Sequence, residues 1–107
     1  MSTYKNCLEV KTIKAALIKR NASVMELSNS VGKFKLLSKP NPNLRQFTLI
    51  DKELEANLDQ LKTDNHLFVQ HILHASATLS SDSEFMKDQE SIRAIQFAAL
   101  SEKNQIS

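Results

Sequence analysis

His66, His71 and His74 lie close together in the chain, and histidine is the commonest side-chain ligand of zinc. His71 and His74 are three apart and share one face of a helical turn, whereas His66, five before His71, lies on another. A zinc site needs three or four converging ligands, and the one cysteine, Cys7, is far away in the chain. The spacing therefore predicts solvated histidines on a helix face and no metal. Serine, histidine and aspartate all occur, but without a Gly-x-Ser-x-Gly elbow to hold a strained nucleophile. With one glycine the chain can form neither a Walker loop nor a dinucleotide fingerprint, both of which need several to bring backbone N–H groups against phosphate. Asp51, Glu53, Glu55 and Asp59 could do acid–base chemistry only inside a cleft, and a helix flank offers none. The residues point to a protein that is not an enzyme, with no cofactor and no small-molecule ligand.

The elements that carry these groups are helices. From Leu44 to Leu79 the apolar residues Leu44, Phe47, Leu54, Leu58, Leu61, Phe68, Ile72 and Leu79 recur at steps of three, four and seven, one stripe on a long helix. With Leu44 at heptad position a, Asp51, Leu58, Asn65 and Ile72 follow at a, and Phe47, Leu54, Leu61 and Phe68 occupy d. A helix of about 36 residues spans roughly 54 Å and needs a partner along most of its length. An earlier stripe supplies one: Val10, Leu17, Val24 and Val31 at a, with Ile13, Arg20, Leu27 and Phe34 at d. Gly32 falls inside it, but Phe34 keeps the phase, so the helix is expected to run on to about Leu37, with a bend or early stop at Gly32 as the alternative.

Between the stripes, Ser38-Lys39-Pro40-Asn41-Pro42-Asn43 breaks the helix, since each Pro removes an N–H and pushes its predecessor out of the α region. Folding there, in a register deduced from loop length with a slip of one turn as the alternative, stacks Phe34 on Phe47, Leu27 on Leu54, Val24 on Leu58, Arg20 near Leu61, Leu17 near Asn65, Ile13 on Phe68 and Val10 on Ile72. Capping boxes are legible at Asn6 with Glu9, Asn43 with Gln46 and Ser81 with Glu84. The last opens a third helix whose stripe is Phe85, Ile92, Ile95, Ala99 and Ile106, broadened by Met86, Phe97 and Leu100, expected to dock on the open end of the hairpin. Scarce Gly and Pro agree with an all-α class. The expected fold is one domain over residues 1–107: a long antiparallel, coiled-coil-like helical hairpin with a shorter C-terminal helix, the helices at about 7–37, 44–79 and 83–103.

Three polar residues, Arg20, Asp51 and Asn65, interrupt the seam. A buried charge must be paired, reach water or face a partner, and Arg20 with Asp64 is the pairing expected here. The lone Cys7, the absence of an apolar leader and the absence of a long apolar run predict an intracellular, cytoplasmic protein that does not enter membranes. Charge divides unevenly: residues 1–50 hold nine Lys/Arg against Glu9 and Glu26, a net +7, and residues 51–107 hold five basic and ten acidic residues, a net −5. That polarity suits a basic helix lying on an acidic one. It also admits nucleic-acid contact through Lys11, Lys14 and Lys19, although no aromatic residues interleave them. Leu8, Ile18, Ala22, Met25, Leu36, Leu37, Leu49, Leu67, Val69 and Leu73 fall outside both stripes, more apolar surface than a solvated hairpin needs, and such surplus marks a protein partner or self-association.

The order of these features resembles the helical region upstream of the capsid in Gag-like polyproteins of Bel/Pao-type LTR retrotransposons. The likeness spans roughly residues 10–100: a basic first helix with Lys19-Arg20, a polar turn, an acidic Leu-rich helix with Glu53-Leu54, Leu58 and Leu61 to Phe68, then Glu90-x-x-Arg93-x-x-x-Phe97. The chain departs from a whole Gag in having no Cys/His zinc knuckle and no Asp-Ser/Thr-Gly protease motif. The resemblance implies a structural, self-assembling role without catalysis. Both lines lead to a helical protein–protein interaction or assembly module that forms a homo-oligomer, with a basic helical nucleic-acid binder as the alternative.

Overall fold

A computed structural model describes residues 3–37 and 44–104, which form four α-helices, one 3₁₀ turn and no strand. The two stripes become α2 (Lys11–Leu37) and α3 (Leu44–Ala75), antiparallel and paired along their length within one chain. α2 passes through Gly32 without ending. The Pro40–Pro42 turn, the Asn43 cap and Ile106 lie outside the described residues. The radius of gyration, 16.4 Å, exceeds the about 13 Å of a compact domain of this length, and the extents of 54 × 22 × 17 Å describe a rod.

The first helix does not begin near Cys7 as one piece. A short α1 (Thr3–Leu8) precedes it, and the chain turns at Glu9 and Val10, where Val10 N–H donates to Cys7 O at 3.0 Å and Lys14 N–H to Val10 O at 2.8 Å. Val10 is thereby removed from the seam and left 47% exposed. Tyr4 takes the place the stripe assigns to Val10, buried with Ile13, Phe68, Ile72, Leu79 and Phe85.

α3 stops at Ala75, four residues before its expected end. Ser76 is extended (φ −164°, ψ 122°), and a 3₁₀ turn, Ala77–Ser81, carries Leu79 back into the core. Serine and threonine hydroxyls compete with the helix here: Ser76 Oγ pairs with Thr78 Oγ1 at 2.8 Å and Ser80 Oγ donates to Ala77 O at 3.1 Å. The cap of α4 (Ser83–Asn104) is Asp82, not Ser81, its Oδ1 accepting from Glu84 N–H at 2.9 Å and Phe85 N–H at 3.1 Å.

α4 does not sit on the open end alone. Its buried residues Phe85, Ile92 and Ala99 recur every seven, so it lies along the hairpin, parallel to α2. Phe85 packs at the open end beside Tyr4, and Ala99 joins Leu27, Phe34, Leu54 and Leu61 towards the tip. Met86 and Phe97 are exposed and do not broaden the docking face, whereas Leu100, 46% exposed, lines a hollow with Leu58 of α3 at its edge.

Candidate assembly surface

Of the residues expected in the pairing seam, Ile13, Leu27, Phe34, Leu54, Leu61, Phe68 and Ile72 are buried, and Leu17, Val24, Val31, Phe47 and Leu58 are half-buried. Phe34 and Phe47 stack with ring centroids 5.1 Å apart. The register nonetheless lies about one turn from the deduced one. Arg20 meets Asn65 and Phe68, not Leu61, while Ser23 meets Asp64 and Ser30 meets Asn57. These small and polar residues occupy heptad position g, where pattern alone assigns a solvated flank. Ser23 and Ser30 let the backbones approach, and hydrogen bonds lock the layers: Ser23 Oγ donates to Asp64 Oδ2, and Asn57 Nδ2 donates to Ser30 Oγ.

Arg20, only 4% exposed, is the centre of a polar network. It does not pair with Asp64, which is taken by Ser23, by Gln60 Nε2 at 3.0 Å and by Lys19 Nζ at 3.8 Å. Its partner is Asp88 on α4, gripped by both fork nitrogens, Nη1 to Oδ2 at 2.6 Å and Nη2 to Oδ1 at 2.9 Å. Nε and Nη2 also donate to Asn21 Oδ1, at 3.2 and 2.8 Å, and Nη1 reaches Asn65 Oδ1 at 3.5 Å, which occupies every guanidinium donor. The guanidinium carbon lies 4.8 Å from the Phe68 ring centroid, a cation–π contact. Asn65 and Gln89 exchange amide hydrogen bonds at 3.0 and 3.1 Å, and Gln89 Nε2 donates to Asp88 Oδ2 at 3.0 Å. One network thus binds α2, α3 and α4. Asp51, the third polar seam residue, is half-buried nearer the tip.

Tyr4, at 5% exposure, packs edge-on against Phe85 with ring centroids 5.8 Å apart. Burial, the largest cause, and the nearby charge of Asp88 push its hydroxyl from 10.0 up to about 12, with Arg20 opposing and Asp82 and Glu84 adding. Below pH 10 the phenol is neutral folded and unfolded. Between about pH 10 and 12 only the unfolded chain ionises, so stability falls through that window, by about 2–3 kcal/mol in all. Tyr4 is the single tyrosine, so tyrosinate absorbance reports it directly. The expected midpoint is near 12 in the native protein and near 10 in denaturant; a native midpoint near 10 would refute the buried placement.

α4 covers one side of the hairpin. Ile95 and Ala99 close over Val31 and Leu27, and Lys103 reaches Glu55 at 3.3 Å. The other side, along the g positions, bears two separate hollows. At the tip it widens into a hollow of about 450 Å³ between Lys33, Leu36, Leu37, Gln46, Leu49 and Ile50. Towards the root a second hollow, about 330 Å³, is lined by Thr12, Ala15, Ala16, Lys19, Asp64, Leu67 and His71. Between them run Ser30 with Asn57 and Ser23 with Asp64, and Lys33 bridges to Glu53 at 3.5 Å.

The histidines do not converge: His66, His71 and His74 are all exposed, and no group of three potential ligands is brought together among the described residues. Lys11 and Lys14 are exposed on α2, while Lys19 leans to Asp64. No helix among the described residues is long and apolar enough to cross a membrane. The two hollows and the Asp88 partnership were not legible from heptads, because the hollows depend on which side α4 covers and the partnership on its register. The chain matches no protein-family model, no curated protein and no solved structure.

Proposed function

We propose that this protein is a non-enzymatic helical assembly module that works by self-association inside the cell. The observation that carries the reading is the amount of large apolar surface left over after the three long helices have packed. Ile18, Met25 and Leu36 on α2, Leu49 and Leu67 on α3, and Met86, Phe97 and Leu100 on α4 are all exposed, Phe97 to 72%. Apolar side chains scattered singly are normal on a soluble surface, but here Leu36, Leu37, Leu49 and Ile50 line one hollow at the tip, and grouped apolar surface of that kind marks a protein interface. The likeness in element order to Gag-like structural segments supports the same reading. The nucleic-acid alternative through Lys11, Lys14 and Lys19 is weakened by Lys19, which is drawn into an intramolecular ion pair.

Sedimentation equilibrium over a wide concentration series tests the proposal. The expected result is a mass that rises above 12.1 kDa with concentration. A strict monomer across the whole range would refute it. Steep, salt-sensitive binding to DNA or RNA by a monomer would transfer the role to the lysines, since counterion release makes phosphate contacts strongly salt-dependent.

A further inference from the structure

We propose that the outward face of α2 docks an acidic amphipathic helix of a partner protein. The reading goes beyond self-association and does not rest on it. α2 is striped on two sides. Five positions on from its inward stripe, roughly 140° round the helix at about 100° per residue, Ala15, Ile18, Ala22, Met25, Asn29, Gly32 and Leu36 follow at alternating steps of three and four. All of them are exposed, Ile18, Met25 and Leu36 at 62, 68 and 66%. A helix that is apolar on opposite faces is normally covered on both, and α3 and α4 lie only on the inward one.

The spacing selects a helix as the occupant. A 3.5-residue period is what a facing helix reads, knob into hole, and here the small Ala15, Ala22 and Gly32 leave holes between the large Ile18, Met25 and Leu36. A side chain added at Gly32 would meet only open space. A membrane surface rewards buried apolar area instead, and a stripe that includes Asn29 and three small residues, without an aromatic ring, offers little of it. Charge then selects the sign of the partner. With Ala15 at heptad position a, the flanking e and g positions hold Lys14, Lys19, Lys33 and Lys35 against Glu26, and Lys11 extends the line at d. These side chains are accessible: Lys19 and Lys33 lean towards Asp64 and Glu53 of α3, yet keep 66 and 57% of their surface. Flanking e and g charges are what set partner choice between paired helices. A second copy's α2 would lay these lysines on one another with Glu26 alone to answer, and like charges across an interface reject that partner. A second copy's α4 answers them no better, since its exposed residues mix Glu90 with Lys87 and Arg93. An acidic helix meets the lysines on both flanks.

The probe is a designed peptide of four heptads, with Leu at a and d and Glu at e and g, the glutamates keeping it from pairing with itself. Calorimetric titration into the full chain at low salt should show one peptide bound per chain, with an affinity that falls as salt screens the flanks. Ile18→Gln and Met25→Gln are neutral changes of exposed side chains, so helicity by circular dichroism should hold while the dissociation constant rises roughly tenfold or more for each. Phe97→Gln, on α4, should leave it unchanged, and the same peptide with Lys in place of Glu should not bind. No binding of the acidic peptide, equal binding of the lysine peptide, or binding that survives both α2 variants overturns the proposal. Loss of self-association in those two variants also overturns it and gives the face to a second copy. Uptake by phosphatidylserine vesicles that is tighter than peptide binding and lost in the same variants overturns it in favour of lipid. A wild-type monomer that binds the peptide refutes self-association alone, and an oligomer that ignores the peptide refutes this proposal alone.

Discussion

Replacing Asp88 by Ala should cost the fold about 3 kcal/mol, although Asp88 is a half-buried polar residue on the shortest of the three long helices. Removing one member of a buried ion pair leaves the other charge uncompensated, with typical losses of about 3–5 kcal/mol. The lower end applies because Asp88 retains 21% side-chain exposure and water can reach part of the gap. Arg20 itself, at 4%, cannot swing out to solvent, and Asn21 and Asn65 offer it only neutral oxygens. For a domain of this size, with a total stability of about 5–10 kcal/mol, the change removes a large share. Urea denaturation followed by circular dichroism measures the loss. A double variant, Arg20→Met with Asp88→Ala, should recover much of it, because no charge is then stranded and the Met stem packs on Phe68. If the double variant is as unstable as the single one, the penalty does not arise from a stranded guanidinium, and the network is not what holds α4 in place.

How much of this was legible in the sequence depends on what each residue signals. The d positions were, because Leu27, Phe34, Leu54, Leu61 and Phe68 are apolar at a constant period and all are fully buried. Arg20 was legible as an anomaly, since a charge in an apolar stripe must find a partner. Its partner was not. Asp64 is the nearer acid on a deduced layer, whereas Asp88 is 68 residues away on a helix whose lateral placement no heptad fixes. Ser23 and Ser30 hid for a different reason: a hydrophobicity pattern counts serine as surface, but a small residue at g sets how closely two backbones approach and therefore the register. Val10 was misplaced because the apolar stripe runs through it unbroken, while the turn that excludes it is made by backbone hydrogen bonds to Asn6 and Cys7. Tyr4 then fills the layer from a segment whose polar surroundings gave no sign of burial. The two hollows between α2 and α3 lie furthest from the sequence, since they are defined by where α4 is not.

Three substitutions within two turns of α3 should separate cleanly: Leu61→Ala the most damaging, Leu58→Ala intermediate, and Glu55→Ala nearly silent. Leu61 is at d, fully buried with Leu27, Phe34, Leu54 and Ala99, so truncation removes transfer energy and leaves a cavity that three helices cannot easily close. A loss of about 3–5 kcal/mol is expected. Leu58 is at a, half-buried against the same cluster, and lines a hollow shared with Gln96 and Leu100 of α4 that is already open to solvent. The methyls removed there are partly wet, and the hollow needs no collapse, so about 2 kcal/mol is expected. Glu55 is 62% exposed and reaches Lys103 at 3.3 Å, an ion pair of the solvent-screened kind, and its loss should stay within about 0.5 kcal/mol. Thermal and urea unfolding of the three variants would decide. Equal losses for Leu61→Ala and Leu58→Ala would mean that a and d are equally enclosed, which would require a second element over the α4 edge and contradict the helix placement derived above. A cost for Glu55→Ala as large as that for Leu58→Ala would move the seam itself to the other flank of α3.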